Sequence, residues 1–305
     1  MKLSLSTNWC NRRFESGTEI AEKAISLGFD ELELGFHTTD RQAREIAALR
    51  ARIPVGSIHA FCPVPISAPE GYPELYQLAD PDADTRALAA VHVRRNIEFA
   101  AKVGADAVVL HAGRVPCRGL FRRGDLRRRV KRGAKLTDVF RRELDALVPV
   151  LEKNKVVLGL ENLPYLEGFP AEWEMKDFVG EWVRPWFDTG HDYVRRALLA
   201  SNPLNESIVE SSESSNRRMM VHGVNFSNLS NLSNPSNPSI LPLGLHLNDS
   251  VGGDDHLPPG AGKVDFAALK DMAMKARHVV FEPNASVTDE ELADGISHIR
   301  KVWEL

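Results

Sequence analysis

Residues 156–162 read VVLGLEN, a short apolar run that ends in the acidic residue Glu161. Runs of this length, rich in β-branched and apolar residues, are typical of strands. The same kind of run recurs at 2–6, 31–35, 55–61, 106–113, 183–191, 243–249 and 278–284. The sequence therefore predicts eight strands, spread over the whole chain.

The stretches between these runs have the spacing of amphipathic helices. Between the third and fourth runs one apolar face consists of Ala90, Val93, Ile97, Ala100 and Ala101. Gly104 follows this face as a left-handed C-terminal stop. After the last run, Thr288 and Glu291 have the spacing of a capping box. The apolar face behind that cap consists of Leu292, Ile296, Ile299 and Trp303.

Strands and helices thus alternate eight times, which favours a parallel sheet covered by helices. A count of eight favours closure into a single (β/α)8 TIM barrel over residues 1–305, a length that suits this fold. The alternative is a doubly wound open sheet, which usually has a glycine-rich phosphate turn after its first strand. Residues 6–17 read STNWCNRRFESG and contain no such turn, so the barrel is the better interpretation.

Composition narrows the functional classes. The chain has 43% hydrophobic residues and a net charge of −4, which exclude overall disorder and argue against a protein that coats nucleic acid. Its three cysteines form no CxxC pair, so we expect reduced thiols. Neither an apolar run of membrane-spanning length nor a secretory signal at residues 1–17 is recognisable. We therefore expect a cytoplasmic protein without a membrane partner.

Two segments interrupt the alternation. Residues 201–240 are rich in Ser, Asn and Pro, and we expect a disordered insertion between the sixth helix and the seventh strand. Residues 118–135 contain nine Lys and Arg but one Asp, shortly after the fourth strand. Arg127, Arg128 and Arg129 could there bind an anionic or phosphorylated substrate. The alternative is a solvated surface without a ligand.

Side chains that can bind a divalent metal stand where the predicted strands end. They are Glu33, His59, His111, Glu161, Asp188, His191, His246 and Glu282. Because the carboxyl ends of barrel strands meet at one mouth, we expect these side chains to converge. The mixture of carboxylates and imidazoles suits Zn, Mn, Fe or Co.

One subset comes from the last four strands and could form a complete mononuclear site: Glu161, Asp188, His246 and Glu282. Such a site would leave coordination positions for substrate oxygens. Glu33 is not part of this subset, because its strand is short and alternating. Its carboxylate is instead expected to orient a loop or an imidazole that lies outside the ligand set.

Several of these runs resemble the xylose isomerase-like TIM barrels, a superfamily that holds sugar isomerases and epimerases together with the endonuclease IV type of apurinic endonuclease (AP endonuclease family 2). The matching strings are SIHAF (57–61), VVLHAG (108–113), LGLENLP (158–164), WFDTGH (186–191), LGLHLND (243–249), DDHLPPGAGKVDF (254–266) and FEPN (281–284). They span nearly the whole chain apart from the insertion. The resemblance implies a metal-dependent TIM barrel, and it is less specific for the reaction.

The two branches of the superfamily imply different metal contents. In the epimerases two glutamates, an aspartate and a histidine bind one divalent ion (Mn, Co, Mg or Zn), and these correspond to Glu161, Glu282, Asp188 and His246. Endonuclease IV binds three zinc ions through nine residues. Candidates for that set are His59, His111, Glu161, Asp188, His191, His246, Asp254, His256 and Glu282. The start of the chain looks like the isomerase relatives instead, and the chain outside 118–135 is acidic.

The first hypothesis is accordingly an isomerase or epimerase of a small sugar or sugar phosphate. Glu161 and Glu282 would remove and return a proton, with an enediolate as the intermediate. His191 and His256 would bind substrate oxygens, and a related dehydratase would use the same intermediate. The second hypothesis is a trinuclear zinc phosphodiesterase acting on abasic DNA, although the charge makes nucleic acid a less favoured partner. A sugar-binding barrel without catalysis is a third alternative, and pairing of barrels into a homo-oligomer stays open.

Overall fold

The computed structural model describes residues 1–114, 134–200, 241–253 and 255–305. Eight strands lie within these ranges: β1 (Ser4–Ser6), β2 (Glu31–Leu34), β3 (Val55–His59), β4 (Ala107–Leu110), β5 (Val157–Glu161), β6 (Val183–Asp188), β7 (Gly244–Leu247) and β8 (His278–Phe281). The helices there are α1 (Gly17–Ser26), α2 (Asp40–Ala48), α3 (Ala83–Val103), α4 (Ala134–Asn154), α5 (Glu172–Met175), α6 (Thr189–Ala200), α7 (Phe266–Ala273) and α8 (Asp289–Trp303). Each strand is followed by a helix, as the sequence predicts.

The sheet is a closed barrel in which each strand pairs in parallel with the next. Closure is made by β1 and β8, where Ser4 lies opposite Val280 and Leu5 opposite Phe281. The prediction of a (β/α)8 TIM barrel is confirmed, and the open-sheet alternative is wrong. Because all strands run the same way, their carboxyl ends form one rim.

The barrel interior is filled around Trp186. Ala107 and Val109, which alternate with the outward-facing residues of β4, belong to the same small apolar cluster as this tryptophan. Room for the indole comes from two glycines, because a Cβ on Gly244 would lie 2.5 Å from the ring and one on Gly159 would lie 2.8 Å from it. Trp186 therefore forms a packed floor beneath the rim.

The predicted helix ends are also confirmed. Thr288 and Glu291 form a capping box at the start of α8, and the four apolar residues behind it are buried. Gly104 ends α3 in the left-handed conformation, with φ of +92°. Both signals are local, which is why the sequence alone could reveal them.

Some expectations fall on residues outside the described ranges: the insertion at 201–240, the arginines at 127–129, Cys117 and Asp254. Cys10 and Cys62 are buried free thiols. Burial raises the pKa of the Cys10 thiol to about 12, so that it stays protonated at neutral pH. No helix in the described part of the chain is long and apolar enough to cross a membrane.

We expect Gly104→Ala to destabilise the protein by about 1 kcal/mol, because a residue with a Cβ adopts the left-handed conformation at that cost. The added methyl group itself would meet no atom within 4 Å, so packing would not contribute. Gly180→Ala is the matched control, since the space around its Cβ is equally open and its φ is not positive. Urea unfolding measures both variants, and equal losses would contradict the conformational explanation.

Candidate metal centre

Four polar side chains meet where β5 to β8 end. Glu161 and Asp188 are the last residues of β5 and β6, His246 lies in β7, and Glu282 directly follows β8. Asp188 and His246 are register partners, which sets them side by side. Their exposed fractions are 0%, 0%, 0% and 4% in chain order, so all four side chains are buried.

The Nδ1 atom of His246 is the point on which these side chains converge. It lies 2.9 Å from Glu161 Oε1, 3.0 Å from Glu282 Oε2 and 3.8 Å from Asp188 Oδ2. The structure thus brings Glu161, His246 and Glu282 close together. Asp188, the fourth residue of the expected mononuclear site, lies farther out and forms a group with His191 and His256. Three carboxylates thus face one buried ring nitrogen.

Glu33 holds the other side of this imidazole. His246 Nε2 lies 3.1 Å and 3.2 Å from the two oxygens of Glu33, and Ser57 donates a hydrogen bond of 2.8 Å to Glu33 Oε2. Because a carboxylate only accepts, both ring nitrogens carry a proton in the metal-free protein. With Nε2–H held by Glu33, Nδ1 is the nitrogen that would lose its proton and offer a lone pair to a cation. Metal-binding histidines are commonly fixed in this way by a carboxylate behind them.

The arrangement fits a divalent cation. Atoms bound to one ion at about 2.1 Å lie about 3 Å from their neighbours around an octahedron. Glu161 Oε1 and Glu282 Oε2 lie at this distance from His246 Nδ1, whereas Asp188 Oδ2 is farther away, at 3.8 Å. Three buried carboxylates also need positive charge close by, since uncompensated buried charges are costly. Oxygen and imidazole donors together suit Zn, Mn, Co or Mg. Glu161, Asp188, His246 and Glu282 could therefore hold one such ion.

Two asparagines orient the acids and were missed by the sequence reasoning. Asn248 donates to Asp188 Oδ2 at 2.7 Å, and Asn8 donates to Glu282 Oε1 at 2.9 Å. Asn248 follows β7 and Asn8 follows β1, so both lie just past a strand end, as the candidate ligands do. Metal-ligand patterns consist of acids, histidines and cysteines, so the two amides do not stand out in the sequence.

Two further histidines contact the far oxygen of Glu161. His59 Nε2 lies 3.1 Å and His111 Nε2 lies 3.0 Å from Glu161 Oε2. His59 also joins Glu161, His246 and Glu282 in a group whose ligand atoms lie within 4.8 Å of one another. Both imidazoles thus belong to the centre, where they can support Glu161 or serve as additional ligands.

A second group lies beside the first. Ligand atoms of Asp188, His191 and His256 are within 4.8 Å of one another, so that they too could hold an ion. His191 and His256 are each anchored through Nδ1, to the backbone oxygens of Asn162 and Glu282 respectively. Asp255, which the sequence reasoning did not select, lies 3.8 Å from His191 Nε2.

The charges of the acids and imidazoles shift one another's pKa values. Burial alone would lower the pKa of His111, but the carboxylates of Glu161 and Glu74 raise it to about 9. Burial also opposes the charge on His256, whose pKa is raised to about 9 chiefly by Glu282 and Asp188. Burial likewise disfavours ionisation of Glu282, yet His246 holds its pKa well below the ordinary range. The metal-free centre is thus a cluster of buried ion pairs.

Comparison with known proteins agrees with this architecture. The family model described as the xylose isomerase-like TIM barrel matches residues 21–302. None of the curated proteins matches the chain significantly in sequence.

Solved structures provide similarity in fold. A D-tagatose 3-epimerase-like protein is 20% identical with a TM-score of 0.63, the alignment covering 100% of this chain and 97% of that one. The 3-keto-D-glucoside 4-epimerase of E. coli is 17% identical with a TM-score of 0.64, and 99% of each chain is covered. The IOLI protein with a bound zinc atom is 14% identical with a TM-score of 0.67, and 100% of each chain is covered.

We expect Glu33→Gln to weaken the binding of Zn²⁺ or Co²⁺ by about 10–100-fold, because His246 loses the carboxylate that fixes its tautomer. Glu31→Gln is the matched control, since Glu31 lies in the same strand two residues earlier and pairs with Lys2 instead. Competition titration with a chromophoric chelator measures both variants. Unchanged affinity in Glu33→Gln would show that His246 needs no carboxylate behind it.

The metal-free protein should lose stability as the pH rises. The pKa values of His111 and His256 are raised to about 9 in the folded protein. Their contribution is therefore fully present below the ordinary imidazole pKa of about 6.5 and is lost as the pH rises through about 9, at up to about 3 kcal/mol for each. Urea unfolding of EDTA-treated protein at about pH 6.5 and about pH 9 tests this expectation. The free energy of unfolding should fall less between these pH values in His111→Gln than in wild type. A stability that rises over this interval would contradict the ion-pair description.

Proposed function

The chain belongs to the xylose isomerase-like TIM barrel family, whose model matches residues 21–302, and from that premise we propose a divalent-metal-dependent isomerase or epimerase of a small sugar or sugar phosphate. One observation carries the proposal. Glu161 and Glu282, from strands three apart around the barrel, both lie within about 3 Å of His246 Nδ1. Two buried carboxylates at one cation site can serve two faces of a bound substrate.

The named structural relatives support this choice of reaction class. Two of them are described as a D-tagatose 3-epimerase-like protein and a 3-keto-D-glucoside 4-epimerase. The IOLI structure has a bound zinc atom. Each of these statements concerns the relative itself, and a similar activity in this chain is our proposal.

Glu161, Asp188, His246 and Glu282 would hold the ion. A divalent ion bound there supplies Lewis-acid polarisation of a carbonyl and its neighbouring hydroxyl, which acidifies the intervening C–H. The remaining steps belong to the side chains of this protein.

Proton transfer is assigned to Glu161 and Glu282. Burial opposes ionisation of both, but imidazoles, His246 above all, keep the pKa of each below its ordinary value. Both are therefore ionised at neutral pH, which is the form in which a carboxylate can act as a base. Epimerisation needs one group to remove the proton and another to return it on the opposite face, whereas isomerisation returns it to the neighbouring carbon.

His191 and His256 are placed to bind substrate oxygens. Each ring is anchored through Nδ1 to a backbone carbonyl, at 2.9 Å and 2.8 Å. Their Nε2 atoms lie 3.8 Å and 3.9 Å from Asp255, which is beyond hydrogen-bond distance. Both Nε2 atoms are thus available to a hydroxyl group of the substrate.

A zinc phosphodiesterase of the endonuclease IV type is the second candidate. The observation that favours it is the neighbouring group of Asp188, His191 and His256, which could hold another ion. Several ions at one site can activate water and stabilise the charge of a phosphodiester transition state. Asp254, a further ligand in this hypothesis, lies outside the described residues.

We expect Glu161→Gln and Glu282→Gln each to reduce turnover by about 10²–10⁴-fold or more, because each loses a base as well as a ligand. Wild-type protein loaded with about one Mn²⁺ or Co²⁺ should introduce deuterium from D₂O into ketoses or ketose phosphates, which NMR detects at the exchanging carbon. Loss of water in the product would identify a dehydratase instead.

Glu31→Gln serves as the control for folding and handling, since its side chain pairs with Lys2 away from the centre. Elemental analysis of the purified protein separates the two candidates. About three zinc ions together with cleavage of abasic-site DNA, and no solvent exchange into sugars, would overturn the isomerase proposal.

A further inference from the structure

A charged pair stands at the mouth of the barrel outside the candidate ligand set. Arg114 follows β4, and its Nε donates to Glu74 Oε2 at 2.6 Å. Glu74 lies in the loop between β3 and α3, with a side chain only 2% exposed, whereas that of Arg114 is 44% exposed. A nearly buried carboxylate is thus neutralised by an arginine that reaches it from the rim.

Arg114 is itself fixed by two loops. Its guanidinium lies over the ring of Tyr165, a residue of the loop after β5, at 3.7 Å from the ring centroid. Its backbone N–H donates to Gln77 Oε1 at 2.9 Å, in the loop after β3. An antiparallel bridge joins Arg114 to Gly168, again after β5. Arg114 thus links its own loop after β4 to the loops after β3 and β5, and these contacts restrict its movement.

The second oxygen of Glu74 faces the centre. Glu74 Oε1 lies 3.7 Å from His111 Nδ1, and His111 Nε2 lies 3.0 Å from Glu161 Oε2. His111 Nδ1 is buried and has no hydrogen-bond partner among the described residues. The imidazole consequently has a carboxylate opposite each of its ring nitrogens.

From this chain of contacts we propose that Glu74 and Arg114 are positioning residues for the metal centre: Arg114 holds Glu74 beside His111, and Glu74 keeps the His111 ring turned so that Nε2 faces Glu161. The proposal rests on the metal centre described above. It adds a pair of residues that no ligand pattern in the sequence indicates, since neither would bind the ion.

The orientation of the ring explains why the pair matters. A half-turn of the imidazole exchanges Nδ1 and Nε2 for carbon atoms, which would set C–H groups against both carboxylates. With Glu74 ionised on one side, this turned orientation is unfavourable. Burial tends to raise the pKa of Glu74, but its interactions with His111 and Arg114 lower it overall, so the carboxylate is ionised at neutral pH.

Loss of this support should loosen Glu161. Its Oε2 atom accepts from both His59 and His111, while Oε1 faces His246. If His111 turns away, Oε2 keeps one imidazole donor, and the carboxylate can rotate out of its place beside His246. Residues that support metal ligands typically change metal affinity by about 10–100-fold when they are replaced.

The first experiment measures Co²⁺ affinity by visible absorption for wild type, Glu74→Gln and Arg114→Lys. We expect about 10–100-fold weaker binding in Glu74→Gln and a smaller loss in Arg114→Lys, which keeps the charge but not the planar group over Tyr165. Glu22→Gln is the matched control, because it breaks another Glu–Arg pair, with Arg52, between exposed side chains. Its affinity should equal that of wild type.

The second experiment uses the metal-free protein and needs no activity. Long-range ¹H–¹⁵N NMR spectra report the ring nitrogens of His111, assigned by their loss in His111→Gln. Glu74→Gln and Arg114→Lys should shift the Nδ1 resonance of this ring, whereas Glu22→Gln should not. If Glu74→Gln does not fold, the Nδ1 resonance of His111 in Arg114→Lys provides the test.

Unchanged His111 resonances together with wild-type Co²⁺ affinity, in variants that merely melt at lower temperature, would overturn the positioning role. If wild type binds no Co²⁺ at all, the metal centre fails as a proposal. The NMR comparison then still shows whether Glu74 and Arg114 set the orientation of the ring.

Discussion

The contact between the His246 imidazole and its surrounding carboxylates governs the structure of the site. Glu161, Glu282 and Asp188 approach Nδ1 of this ring, and Glu33 approaches Nε2. Such a concentration of buried acids is tolerable only where positive charge is shared among them. The barrel makes it geometrically unavoidable, because closure through β1 and β8 turns every carboxyl end toward one rim.

Packing beneath the site keeps this charge cluster in a fixed place. Trp186 fills the barrel interior below His246, with ring centroids 5.2 Å apart, and Gly159 and Gly244 leave space for it. A smaller residue at position 186 would leave a cavity directly under the candidate cation site. Buried charges interact more strongly than charges in water, so the same packing strengthens the ion pairs of the site.

The fold and the converging ligands could be predicted because their signals are local. Eight apolar runs, helix caps and polar residues at strand ends are each visible within a few positions. For Glu33 a supporting role was expected, but the group that it supports depends on the register of the strand. The other supporting residues could not be predicted, because their roles depend on distant loops. Glu31 and Glu33 share the same alternating strand, yet one pairs with Lys2 and the other with His246. Glu74 lies in a long loop, and only the folded structure places it beside His111.

The charges that stabilise the metal-free centre would also compete with a cation that binds there. In the metal-free centre, imidazolium groups compensate the negative charge of the carboxylates. Burial would lower the pKa values of His111 and His246, but the neighbouring carboxylates raise them. A divalent ion bound by the acids and His246 would take over that compensation, and the ring must release its Nδ1 proton to bind. Ion and protons therefore compete for the same negative charge. Because one or the other is always present, the buried acids remain compensated, and the rim can be assembled before the cation arrives.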